Sequence, residues 1–321
     1  MGSAVDLLSG AGEIAPGVFV FTSGAYALNS SAVLASEGGA SNAGISAEKS
    51  FARKSPSGEV SVVRSASRPS LLIDPGYFPA DIERIASFLT ARDARACRIL
   101  LTHSDWDHVA GAARWPDATV VASSDYPRRV ASEGVRIESS LHQFDERLYV
   151  RREPPFSLPE PATLVGSPSD LVWPGPSAHL LPAGGHTSDG LMVLLRDARV
   201  LFAGDHLSDR EVPFVGDSVD AYRETLVRVR NLVLGGEVET LVPGHGEVCG
   251  RQGILERIDE DADYLARLDA WVRETRRTVD TLEGLLERCD EVVFRKGWES
   301  PDVHAEHRSN VARLARRLGI A

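Results

Sequence analysis

The sequence predicts a layered α/β protein, and two observations carry that expectation. Short apolar runs bounded by Gly, Pro and Asp alternate with longer stretches whose apolar residues recur at helical spacing, which is the strand–helix–strand rhythm of layered architecture. Four of the runs, far apart in the chain, also end in histidine or aspartate beside a glycine or sharp turn: at residues 103–108, His186, Asp205 and His245. Loops held at the ends of rigid strands are common places for chemistry.

In chain order, residues 17–23 and 25–36 read as strands, the second through Ala32-Val33-Leu34-Ala35. Residues 37–58 turn to Gly, Ser, Ala and Lys and form a long loop. A surface excursion within a hairpin is the plainer reading, and a flap over the pocket the sharper one. Residues 60–64 resume a strand, and Ser70-Leu71-Leu72-Ile73 is a buried strand stopped at Asp74-Pro75-Gly76. Over 79–91, Ile82, Ile85, Ala86 and Leu89 share one helix face. A strand at 97–101, the first turn of a helix at 109–113 and a buried strand at 118–122 follow.

Residues 126–173 are the least legible stretch, with prolines at 154, 155, 159, 161 and 168. They read as irregular, with Arg128, Arg129, Arg136, Arg151 and Arg152 solvated; the alternative is that some face the pocket and hold an acidic substrate group. His142 reads as a surface or packing residue. Order returns with strands at 178–182, 191–195, 199–203 and 239–242 and an amphipathic helix at 220–234. Beyond them, 253–276, 280–289 and 303–318 read as helices, the second with Asp280 as N-cap and Glu283 three residues on. The expected division is a domain over residues 1–250 and a helical extension over 251–321 packed on it. His304 and His307 read as surface residues of the last helix.

The composition narrows the function classes. At 321 residues, 43% hydrophobic and 25% charged, the chain is ordinary globular material with enough length for a large core. A net charge of −11 weighs against a nucleic-acid partner, whose phosphates need local Lys and Arg. Cys97, Cys249 and Cys289 are scattered, odd in number and form no CxxC pair, which fits a reducing compartment. No basic segment followed by an apolar one opens the chain, and no apolar run reaches membrane-spanning length, so a cytoplasmic protein without a membrane partner is expected.

The densest chemistry lies in Thr102-His103-Ser104-Asp105-Trp106-Asp107-His108, directly after the apolar run 97–101. Imidazole nitrogens and carboxylate oxygens are the donors that zinc and similar cations accept. Alone, His186 or His245 is a satisfied loop histidine and Asp205 a turn former. Together, at successive strand ends, they read as one shared metal site. His206 reads as a neighbour of that site, Trp106 as a pocket wall, and Cys249 as a buried thiol rather than a nucleophile.

The run 102–108, with Gly185-His186-Thr187, Gly204-Asp205 and Pro243-Gly244-His245-Gly246, resembles the metallo-β-lactamase superfamily, and Ile73-Asp74-Pro75-Gly76 resembles its first motif. The resemblance spans residues 17–246. It implies a four-layer αββα sandwich with the site along one edge of two packed sheets, and hydrolysis by a metal-bound hydroxide. It places one ion on His103, Asp105 and His186, a second on Asp107, His108 and His245, and Asp205 between them. Asp74 would accept a hydrogen bond from a ligating imidazole, against its plainer reading as a turn residue. Asp107 would also orient the nucleophile or shuttle its proton, as the catalytic residue. The implied cofactors are two divalent metal ions, Zn²⁺ first, with Fe or Mn as alternatives.

The departure is Asp105, where the family usually has histidine. It either ligates as a carboxylate, the reading adopted, or swings away and leaves the first site weak. Two divalent ions against three carboxylates leave one net positive charge, which a bound hydroxide cancels. Multiply charged anions should then bind less well than at the usual site, and harder metals compete better with zinc. The expected substrate is a small molecule with an ester, thioester, lactone or related bond; nucleic acid and membrane are not expected as partners, and a homodimer is left open. Two rivals stand. One is an iron-dependent oxidoreductase like the diiron flavoproteins, which also carry a carboxylate here but have Glu and a following flavin domain. The other is a non-catalytic ligand-binding member.

Overall fold

Strands buried on both faces build two sheets packed face to face, described in a computed structural model over residues 5–6, 11–24, 26–36, 67–153, 155–297 and 299–320. The first sheet runs in chain order: β1 (Val5–Asp6), β2 (Ala11–Ala15), β3 (Val18–Thr22), β4 (Asn29–Leu34), β5 (Arg68–Ile73), β6 (Ala94–Leu100), β7 (Thr119–Ser123) and β8 (Thr163–Val165). Pairing is antiparallel through β5 and parallel beyond it. The parallel crossovers contain α1 (Pro79–Ala91), α2 (Trp106–Val109) and α3 (Tyr126–Leu148). The second sheet holds β9 (Ser169–Asp170), β10 (Ala178–Pro182), β11 (Leu191–Leu195), β12 (Val200–Phe202), β13 (Thr240–Val242) and β14 (Cys249–Gly250), with only β12 and β13 parallel. Their crossover is α4 (Val219–Leu234), and α5 (Arg251–Thr275), α6 (Leu282–Glu287) and α7 (Pro301–Arg317) follow.

The side-chain period of two assigns each strand residue to a layer. On β5, Leu71 and Ile73 point between the sheets and meet Val193, Val200 and Phe202, while Leu72 points outward to Ile85 and Phe88 of α1. On β11, Leu191, Val193 and Leu195 point inward and Met192 and Leu194 outward, toward α4, α5 and α7. The layers are therefore helix, sheet, sheet, helix, which is the αββα sandwich. Among the described residues no helix is long and apolar enough to cross a membrane.

Helix α1 occupies 79–91, and β10 and β11 occupy 178–182 and 191–195, as the apolar patterns predict. Three expectations are corrected. Residues 126–148 are not irregular but a 23-residue helix, α3, opened by Pro127 and buried along Tyr126, Ile137, Leu141 and Phe144. The prolines that suggested irregularity all fall after its end. The N-cap of α6 is Thr281, whose hydroxyl accepts from Gly284 N at 3.2 Å, rather than Asp280. His307 is fully buried: Tyr264 hydroxyl donates to its Nδ1 at 2.8 Å and its Nε2 donates to Cys289 O at 3.0 Å. Val303, His307, Asn310, Val311 and Leu314 form one helix face, so His307 points into the core rather than to solvent. The loop expected at 37–58 and the strand expected at 60–64 lie outside the described residues, while β1, β2, β8, β9 and β14 were not anticipated.

Helix α7 also fastens a loop near the strand ends. Asn310 Oδ1 accepts from Val215 N at 2.8 Å and its Nδ2 donates to Pro213 O at 2.6 Å, all in the buried interior. Replacing Asn310 by Leu orphans both backbone groups, and urea unfolding should show a loss of about 1–3 kcal/mol; an unchanged midpoint would contradict this tether.

Candidate metal centre

The ends of β6, β10, β12 and β13 meet at one edge of the sandwich. Asp74, just beyond β5, sits at φ 45°, a left-handed turn conformation that aspartate tolerates better than most residues. Its Oδ1 accepts from Thr102 N at 2.9 Å, and its Oδ2 accepts from Thr102 Oγ1 at 2.6 Å. That fastens the start of the 102–108 loop to the neighbouring strand. Gly185 (φ 117°) turns the chain after β10 against Tyr222, where a Cβ would lie 2.3 Å from the helix backbone. A Cβ on Gly244 would lie 2.0 Å from Asp205 Oδ1, so this glycine makes room for that carboxylate.

Seven side chains converge there. Asp105 Oδ2 is 3.4 Å from His103 Nε2 and 3.5 Å from His186 Nε2. Asp107 Oδ2 is 3.7 Å from His108 Nε2 and 3.1 Å from His245 Nε2. Asp205 lies between the two groups, with Oδ1 3.1 Å from His108 and Oδ2 3.5, 3.4 and 3.7 Å from His103, His186 and His245. His103, Asp105 and His186 can hold one cation, Asp107, His108 and His245 another, and His103, His108 and Asp205 join them.

Two physical tests support the fit of a cation to these donors. Tetrahedral zinc with bonds of about 2.0–2.1 Å has ligand–ligand edges of roughly 3.3–3.4 Å, and the two edges at Asp105 Oδ2, 3.4 and 3.5 Å, lie close to that spacing. The second test is hydrogen bonding. His103, His108 and His186 each bury an Nε2, and Asp205 an Oδ1, with no hydrogen-bond partner. Buried polar atoms are nearly always paired, so these unpaired donors, gathered in one cluster, fit the needs of a cation. The other ring nitrogens are occupied: His108 Nδ1 by Asp74 Oδ2 at 2.8 Å, His186 Nδ1 by Phe214 O at 3.0 Å, His245 Nδ1 by Tyr26 O at 2.9 Å. His103 Nδ1 lies 3.1 Å from Thr102 Oγ1, which spends its own proton on Asp74. Acceptors at Nδ1 leave each Nε2 to offer a lone pair.

The electrostatics favour positive charge in the cluster. Burial and His108 oppose a proton on His103, yet Asp205 and Asp105 raise it to about 9. Burial would raise the Asp105 carboxyl, but the neighbouring His103 and His186 imidazoles and the Arg129 charge hold it well below its ordinary range. His206 behaves oppositely: burial and His186 lower it to about 3, and it packs on Tyr222 at 4.7 Å between ring centres. It is a neutral neighbour, as the sequence suggests.

Above the cluster opens a cavity of about 480 Å³, with Trp106, Phe144 and Phe214 among its walls. Trp106 packs on Phe144 at 4.6 Å and Tyr77 at 5.8 Å, so its place is the wall. Sequence reasoning missed four residues here. Glu211 and Glu306 line the cavity, and burial followed by neighbouring carboxylate charge raises Glu306 well above its ordinary value. Arg147, also lining it, donates to Tyr26 hydroxyl at 2.6 Å, which donates to Asp302 Oδ2 at 3.1 Å. Nothing local in the sequence marks these. Arg129 is the fourth. It is not solvated but 5% exposed, donating to Asp105 Oδ1 at 2.5 Å, Ser104 Oγ at 3.0 Å and Asp189 Oδ1 at 3.2 Å. Arg152 is likewise inside, paired with Asp145 at 2.7 Å, whereas Arg128, Arg151 and His142 are exposed. Helical spacing from Tyr126 would have placed Arg129 on the inward face.

Comparison with known proteins gives a consistent picture. A family model described as the metallo-beta-lactamase superfamily matches residues 57–245. A metallo-beta-lactamase family protein from Thermus thermophilus superposes with TM-score 0.59 at 16% identity, covering 96% of this chain and 95% of that one. A stereoselective inverting sec-alkylsulfatase from Pseudomonas sp. gives 0.66 at 14% identity over 97% of this chain but 50% of its own. The chain thus spans about half the length of that alkylsulfatase, and at these identities the likeness concerns the fold. No curated protein sequence matches the chain.

Removing the Asp74 carboxylate, as in Asp74→Leu, frees both the His108 ring and the Thr102 hydroxyl. Metal affinity measured by chelator competition should fall about 10–100-fold; retention of full affinity would show that Asp74 serves only the turn.

Proposed function

The chain belongs to the metallo-β-lactamase superfamily, and from that premise we propose that it is a metal-dependent hydrolase with a dinuclear centre, zinc being the first candidate. The observation that carries this is the pair of three-donor sets with Asp205 between them. In this reading His103, Asp105 and His186 would hold one ion and Asp107, His108 and His245 the other, with Asp205 available to either. Bound divalent ions supply two things: water acidified toward a pKa of about 7 and polarisation of the scissile oxygen.

The remaining steps belong to the chain. Asp107 lines the cavity beside His245 and is placed to orient the attacking water and hold its proton. Trp106, Phe144 and Phe214 form an aromatic part of the cavity wall, against which the organic part of a substrate would pack. Those walls, and a cluster whose formal charge three carboxylates nearly cancel, favour a substrate of low charge: an ester, thioester or lactone.

Metal analysis of protein purified without chelators, run beside a panel of thioester, lactone, aryl ester, phosphodiester and secondary alkyl sulfate substrates, tests the proposal. The alkyl sulfate is included because of the alkylsulfatase resemblance in fold. The expected result is two equivalents of metal and turnover of a carbonyl ester that EDTA abolishes and zinc restores. Stoichiometric metal with no turnover would point to a binding protein, and bound iron with O₂ or NO turnover to an oxidoreductase. Asp105→His should raise zinc occupancy and tighten inhibition by inorganic phosphate; unchanged phosphate inhibition would contradict the charge argument.

A further inference from the structure

Asp105 raises a problem of geometry. An imidazole offers a cation one donor atom, whereas a free carboxylate can turn or chelate with both oxygens. The structure restrains it. Arg129, on the first turn of α3, directs Nη2 to Asp105 Oδ1 at 2.5 Å, leaving Oδ2 between His103 Nε2 at 3.4 Å and His186 Nε2 at 3.5 Å. Its Nη1 reaches Ser104 Oγ at 3.0 Å and Asp189 Oδ1 at 3.2 Å, and its Nε faces Glu133 Oε2 at 3.5 Å. Asp189, 1% exposed, lies three residues beyond His186 in a turn closed by Ala183 N donating to Gly190 O at 2.8 Å. The guanidinium therefore joins α3, the 102–108 loop and the His186 loop at one buried point.

We infer that Arg129 is the positioning residue of the Asp105 site: it takes one oxygen of Asp105 so that the other serves as a single donor between His103 and His186. Through Asp189 it also fixes the spacing of the two loops that supply those donors. The planar fork matters as much as the charge, because a lysine ammonium on a flexible stem does not reproduce several fixed, divergent hydrogen bonds. The inference deepens the metal-centre reading and rests on it.

The test is zinc titration of chelator-stripped, full-length protein against a chromophoric chelator. Wild type is expected to bind two equivalents. Arg129→Lys keeps the charge and loses the fork; one equivalent should weaken about 10–100-fold while the other changes by less than about twofold. Asp105→His supplies a one-donor side chain that needs no such restraint. In that background the weakening by Arg129→Lys should shrink at least about threefold, to the part that acts through Asp189 and the loop spacing. Such coupling is not expected of a merely structural ion pair.

If Arg129→Lys gives no folded protein by circular dichroism, Asp189→Asn carries the same test. It replaces a charged acceptor by a neutral one at constant size, which loosens this anchor, and weakening of the same equivalent is expected. Wild-type binding of two equivalents beside unaffected Arg129→Lys or Asp189→Asn overturns the inference alone, as does undiminished weakening in the Asp105→His background. Wild type that binds no zinc overturns the metal-centre reading and the inference with it.

Discussion

The constraint on which the rest of the structure depends is the charge of one buried cluster. Asp105, Asp107 and Asp205 lie within 3.1–3.7 Å of the Nε2 atoms of His103, His108, His186 and His245. Carboxylates removed from water need positive charge close by, since desolvation of an unpaired anion costs several kcal/mol or more. Protons on the imidazoles or cations between the donors meet that need. The unpaired Nε2 atoms of His103, His108 and His186 favour cations, because each ring's Nδ1 already lies against another partner.

Such a cluster stays open only if the backbone beneath it is fixed, and buried polar side chains do much of that fixing. Asp74 fastens Thr102 and His108 to the end of β5. Asn29 Nδ2 donates to Pro243 O at 3.0 Å and Gly246 O at 2.7 Å, holding the His245 turn against β4. Asn310 holds the backbone around Phe214, whose carbonyl orients the His186 ring. Arg129 joins the two loops that carry His103, Asp105 and His186. Each tether crosses between elements far apart in sequence, so the geometry of the cluster is a property of the whole sandwich. Even α7, at the end of the chain, contributes through Asn310 and places Glu306 in the cavity wall.

Much of this was legible in the sequence, for identifiable reasons. Strand ends followed by His, Asp and Gly survive translation into structure because the ligand lies within one or two residues of a strongly apolar run. Asp74 was legible for the same reason, and serves both as turn residue and as partner of His108. The misses share the opposite property. Helix α3 has a thin apolar stripe among many charges, and the prolines beyond it drew attention away from the spacing of Ile137, Leu141 and Phe144. Arg129 and His307 were read from residue type, which favours the surface, when their helix faces pointed inward. Glu211 and Glu306 reach the cavity only through tertiary packing, and no local pattern announces that.

The cavity above the cluster has two unlike sides, aromatic around Trp106 and Phe144 and acidic around Glu211 and Glu306. The role proposed for this cavity depends on the claim that two cations occupy its floor. Anomalous diffraction from crystals of the metal-loaded protein, recorded on either side of the zinc absorption edge, tests that claim most directly. Two peaks flanking the Asp205 carboxylate, one of them touching a single oxygen of Asp105, is the expected result. A single peak, or none, with the seven side chains otherwise in place would contradict it.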